Sequence, residues 1–312
     1  MTAAVAVSPT HQLDLFLDGH DAILVHDIVT SLVARDLDRV ATGLGRLQRE
    51  HPAHPDLTSL TLLADTLQTP SLSAATAAPH ATLTARVDEL ERRVSPAARR
   101  FLGAEAGAFL RPSWMTLAAT ATTVPFDGIY PRAHPGWLCQ QYGDWAAVRA
   151  AVEAEPDWAR TPLLRYWMAL ARHHLGEPET AVRLWLPLCW IDPSLFVLHA
   201  PSFPSAPVRE AWNAFERAAP FDEAPPVARN TAAWFPAWLL VRHPGLANLF
   251  QTEDVPDAGA ATRAFRVLLS LLPLEREGLT REVVSQRRAL RSISPGFFRH
   301  YLEVVSRRRP EG

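Results

Sequence analysis

The sequence predicts an all-α fold, an α-solenoid of antiparallel helix pairs with Pro-rich irregular insertions. Apolar residues recur at three- and four-residue spacing through most of the 312-residue chain. Strand signals are nearly absent: only 14 residues are Gly, and no Asn-Gly or Asp-Gly turn joins alternating runs. The 27 prolines fall mainly between helical stretches. With 48% apolar residues the chain can bury a substantial core, as one large or two modest domains.

The first helix is expected after Asp18. Asp18 and Asp21 have capping-box spacing, and Ala22, Ile23, Ile28, Val29 and Leu32 supply an apolar face. A second helix spans about 38–50 and stops at His51-Pro52, and a third spans about 56–67. Residues 69–85 are small, uncharged and Pro-interrupted, the composition of a linker or long loop. Helices resume over 86–93 and 97–110. A Pro-rich zone from Ala200 to Pro226 encloses one short helix near 208–218. The last helices cover about 260–272 and 281–307, the latter broken near Ser294-Pro295. The expected organisation is a tail (1–17), an N-terminal helical region (18–68), a linker (69–85) and a helical-repeat domain (86–312).

Composition narrows the function classes. The net charge of −2 gives no basic footprint, so direct nucleic-acid binding is not expected. All 31 cationic residues are Arg, which removes Schiff-base and Walker-type lysine chemistry. Cys139 and Cys189 lie in apolar helical patterns without CxxC spacing, as buried free thiols in a reducing compartment would. The N-terminus lacks a signal peptide's basic flank and apolar run, and no segment is long enough to span a bilayer. A cytoplasmic protein without membrane contact is expected.

Internal repetition centres on Leu163–Pro193. Gly176 is placed to end one helix, Ala169 and Ala181 to allow close helix approach, Trp185 to fill the adjoining groove, and Asp192-Pro193 to close the unit. Gly143 precedes Gly176 by 33 residues, with Gly136, Asp144 and Trp145 in the same phase. Weaker matches fall on Val40, Leu44 and Pro52, and on Ala261, Phe265 and Pro273. This pattern resembles a degenerate tetratricopeptide repeat (TPR). Arg165 stands where that family places a Trp. The resemblance implies a protein–protein interaction scaffold.

No catalytic, metal or cofactor site is expected. His20 and His26 resemble the HD signature of metal-dependent phosphohydrolases but face opposite sides of one helix. The histidines of His51–His54 and the pair His173-His174 read as loop and surface residues. Gly43-Leu44-Gly45 lacks the third glycine and the preceding strand of a dinucleotide fingerprint, and no GxSxG, HExxH or P-loop occurs. An enzyme is conceivable only through scattered helical residues. Trp145, Trp158, Trp167, Trp185 and Trp190 serve helix packing or line a peptide groove. The C-terminal arginines from Arg281 to Arg309 read as a solvated helix and tail.

Gln12-Leu13-Asp14-Leu15-Phe16 stands apart. All five residues match the linear motif by which bacterial polymerases and repair proteins dock on the DNA sliding clamp. The resemblance implies Gln12 as polar anchor at a pocket rim, Leu15 and Phe16 as pocket fillers, and Leu13 as support. After a Pro-containing tail and before Asp18, the segment is placed to be extended and accessible. Two readings stand beside it: these side chains cover the first helical pair, or they meet another partner. The expected function is therefore an interaction adaptor, docking on the sliding clamp through 12–16. The alternative is a general TPR-like interaction module of a bacterial secretion or stress system, with 12–16 only packing.

Overall fold

The computed structural model describes residues 10–68, 80–122, 124–218, 231–252, 255–256, 259–278 and 280–308, excepting the side chains of 10–19 and 308. Every regular element among these residues is helical, so the all-α class is borne out. The chain divides into two compact units, Met1–Asp144 and Trp145–Gly312. This division differs from the one the sequence suggested, because residues 86–144 pack with 18–68. α3 (Leu57–Gln68), with Leu60 and Leu63 buried, meets α5 (Ser95–Leu102) and the wide turn before it.

Unit 1 begins with α1 (Thr10–Ala34), whose start precedes the expected one by two turns. Its inner face is Leu24, Ile28 and Leu32, at i, i+4 and i+8; Ala22 and Ile23, expected inside, are exposed. α2 (Leu37–Glu50), capped by the Asp36 side chain, folds back on α1. The approach is close at Gly43, where a Cβ would come within 2.7 Å of Ile28 Cγ1. His20 Nε2 lies 3.1 Å from the Glu50 carboxylate, and His54 lies 3.6 Å from Asp21. These pairs set the end of α2 level with His20-Asp21.

Residues 69–79 lie outside the described set, but the expected loop ends early: α4 occupies His80–Glu89. Arg132 anchors α4 and the turn that follows it by donating to Asp88 (2.6 Å) and Glu91 (2.5 Å). A π-helical turn, Leu90–Val94, joins α4 to α5, with Ser95 N–H donating to the Leu90 carbonyl. Pro96 supplies the cause, since its ring would strike the Arg92 carbonyl in a regular α-helix and widening the turn relieves it. A short 3₁₀ turn leads into α6 (Ala106–Ala121). α6 passes through Pro112 instead of stopping before it. α7 (Pro135–Gln140) ends the unit, capped by His134 Nδ1 on the Gly136 N–H.

Unit 2 opens with α8 (Trp145–Glu153), α9 (Pro162–His174) and α10 (Pro178–Trp185), each packed on the next. α9 ends at Gly176 (φ 86°): Glu177 N–H donates to the Arg172 carbonyl and Gly176 N–H to that of His173. Gly143 (φ 75°) ends α7 with the same pair of bonds, so the 33-residue phase is a repeated helix-ending device. Ala169, Ala181 and Trp185 are fully buried, as their positions required. Trp185 stacks on Phe203 at 4.3 Å and packs on Phe196 at 4.1 Å with the rings tilted. Arg165 Nε donates to the Leu184 carbonyl, binding the two helices.

The remainder comprises α11 (Leu188–Ile191), α12 (Pro193–His199), α13 (Ala206–Arg217), α14 (Phe235–Arg242), α15 (Ala260–Glu277), α16 (Arg281–Ile293) and α17 (Pro295–Arg308). Asp192 caps α12 through the Leu195 N–H, and the break at Ser294-Pro295 falls where expected. Pro273 does not close a repeat, because α15 runs through it to Glu277.

Candidate functional site

Gln12, Leu13, Asp14, Leu15 and Phe16 fall in the first turns of α1, and their side chains lie outside the described residues. The other sequence candidates do not converge. Among the described residues no three His, Cys, Asp or Glu side chains gather as a metal would require. Both thiols are free and buried. Burial raises the pKa of Cys139 and, more strongly, of Cys189, so neither is a thiolate nucleophile at neutral pH.

Three of the tryptophans between Trp145 and Trp190 are packing residues. Trp167 and Trp185 are buried, and Trp190 donates to the Ala233 carbonyl. A shallow apolar recess of about 220 Å³ lies between α10, α13 and α14, floored by Val182, Val208 and Leu239. In α15–α17, Glu275 accepts from Arg287 Nε (2.9 Å) and from the Tyr301 hydroxyl, binding three helices together. Burial, then the Glu275 carboxylate, raises the pKa of Tyr301.

Sequence reasoning missed a cleft of about 410 Å³ in unit 1. It is reached by the end of α1, by α3, by α4 with its π turn, and by α6. Arg35, immediately after α1, adopts φ 57°. Arg35 N–H donates to Leu32 O and Asp36 N–H to Ser31 O, the helix ending that Gly143 and Gly176 supply elsewhere. Glycine takes this conformation freely, whereas an L side chain costs about 1–2 kcal/mol there.

The Arg35 side chain has work to do at the cleft. Pro112 has no N–H, so α6 cannot pair the Ala108 carbonyl. Arg35 Nη2 donates to Ala108 O (3.2 Å) and Phe109 O (2.9 Å), and its guanidinium lies 5.8 Å from the Phe109 ring centre. One side chain thus satisfies the break that lets α6 continue past its proline.

The opposite wall is ionic. Glu89 accepts from Arg86 at 2.8 Å and lies 3.9 Å from Arg93. Asp65 on α3 also reaches the cleft. The floor is apolar, with Leu90, Val94, Phe109 and Leu117 all buried, and Ser113 and Thr116 add hydroxyls along α6. These groups can hold a ligand by hydrogen bonds and charge. They include no thiol or imidazole to act as nucleophile or base.

The chain matches no family model, no curated protein and no solved structure. Its described helices include none long and apolar enough to cross a membrane. The fold and site define a class no finer than an all-helical protein bearing a charged, apolar-floored cleft.

Proposed function

We propose that this chain is a cytoplasmic, non-catalytic adaptor that docks on the bacterial DNA sliding clamp through Gln12–Phe16. The observation that carries the reading is the register of the first helix pair. α2 ends level with His20, where Glu50 meets that imidazole. α2, which lies against Ile28 at Gly43, therefore ends before it would run beside residues 12–16. A helical extension of about ten residues is marginal by itself, so unwinding it onto a partner costs little. In the same reading the helix pairs form a degenerate TPR-like solenoid, supported by the shared helix endings at Gly143 and Gly176.

A second reading has its own support. Because α1 begins at Thr10, Leu13, Phe16 and Leu17 share one helical face, as packing residues would. The chain is then a general interaction module in which 12–16 only pack.

One titration and one melt separate the two. A peptide of residues 8–18 is expected to bind a bacterial sliding clamp in the micromolar range, roughly −8 kcal/mol. Leu15→Ala with Phe16→Ala should weaken the full chain's clamp binding at least about a hundredfold, since each side chain contributes about 1.5–3 kcal/mol on burial. The melting temperature should hold. A clamp-silent peptide, together with a double variant that melts several degrees lower, establishes the packing reading instead.

A further inference from the structure

We propose that the unit 1 cleft binds a small monocarboxylate with an aliphatic body. This inference is independent of the N-terminal motif and goes beyond the adaptor reading. Three backbone irregularities that helix packing alone disfavours meet at one recess: left-handed Arg35, the π turn at Leu90–Val94, and Pro112 within α6. Strained backbone and π turns concentrate where a fold holds side chains for a ligand. Each irregularity delivers lining groups here, namely Arg35, Leu90 with Arg93, and Ser113 beyond the proline.

Charge and shape select the ligand class. Arg35, Arg86 and Arg93 face two carboxylates, Asp65 and Glu89, which leaves one positive charge in excess. Glu89 is committed to Arg86 at 2.8 Å, while its 3.9 Å distance from Arg93 is too long for a hydrogen bond. Arg93 is the cation with donors to offer, and a planar guanidinium suits a carboxylate in bidentate geometry. A doubly charged phosphate would meet the repulsion of two resident carboxylates, so a single negative charge fits better. The buried floor of Leu90, Val94, Phe109 and Leu117 accepts an alkyl body. A volume near 410 Å³ lies in the range of small-molecule sites.

The test is calorimetric titration of the full chain with decanoate, below its micelle concentration, against decyltrimethylammonium of equal chain length. Decanoate should bind at one site and the cation should not. Arg93→Gln is exposed and free of tight contacts, so its circular dichroism should be unchanged while decanoate affinity falls by at least about tenfold. Glu89→Gln should tighten decanoate binding by removing a competing anion. Filling the cleft with Ser113→Trp should abolish it, and Arg111→Gln, outside the cleft lining, should change nothing. Equal binding of decanoate and the cation, several equivalent sites, or indifference to both Arg93→Gln and Glu89→Gln would overturn the assignment. So would the absence of binding at millimolar decanoate.

Discussion

Arg35 carries two opposed energies. Its left-handed backbone costs about 1–2 kcal/mol relative to glycine, and its guanidinium satisfies the Ala108 carbonyl that Pro112 leaves open and also donates to Phe109 O. Alanine at this position keeps the backbone cost and loses the hydrogen bonds, whereas glycine loses the bonds and removes the cost. Arg35→Ala is therefore expected to be less stable than Arg35→Gly by roughly 1 kcal/mol, reversing the usual helix preference for alanine. Urea unfolding of both variants checks the order, and equal midpoints would show that the position carries no strain. Nothing in the sequence announced Arg35, because an arginine has no propensity that marks a left-handed site. Gly143 and Gly176 announced the same conformation plainly, because glycine is the residue that takes it without cost. Trp185 was partly legible: its place in the helical phase suited packing or a groove lining, and the structure buries it.

At the scale of elements, helix existence was readable from apolar periodicity, and helix ends only where a local signal such as Gly176 or Ser294-Pro295 marks them. Helices were expected to end near 110 and 272, yet α6 and α15 continue through Pro112 and Pro273. The compensation at Pro112 comes from Arg35, 77 residues away in sequence, which no local pattern can reveal. α4 was partly hidden because its first residues share the small, neutral composition of the segment before them. The glycines of α2 offer a sharper contrast. Gly43 faces α1, where a new Cβ would sit 2.7 Å from Ile28 Cγ1, and Gly45 has nothing within 4 Å. Ile28 is buried and stiff at χ1, so it cannot yield. Gly43→Ala is expected to destabilise the protein even though alanine favours helix. Gly45→Ala should stabilise by up to about 1 kcal/mol, the propensity gain alone. Thermal melts of the two variants should move in opposite directions; a shift of the same sign would refute the close approach of α1 and α2.

At the scale of the whole chain, eight of the ten tryptophans, from Trp145 onward, belong to unit 2, so indole fluorescence follows that unit. The same unit holds three imidazoles disfavoured as cations. His174 stacks on Trp145 at 3.9 Å, and burial followed by the neighbouring His173 lowers its pKa. His199 stacks on Tyr166 at 4.2 Å and is lowered by burial. His300 lies parallel to the Trp238 ring and is lowered by burial and then by Arg242. A histidine whose folded pKa lies below the ordinary value of 6.5 takes up its proton first in the unfolded chain. The stability it contributes is present above that value and is lost as the pH falls through the folded pKa. The fluorescence-monitored urea midpoint should therefore fall from pH 7.5 to 5.5, above the range where ordinary carboxylates titrate. In His199→Gln, which has no proton to gain, the fall should be smaller. A midpoint that stays level over this interval, or a His199→Gln variant with the parent's full pH dependence, would show that stacking and burial leave these rings as easily protonated in the fold as out of it.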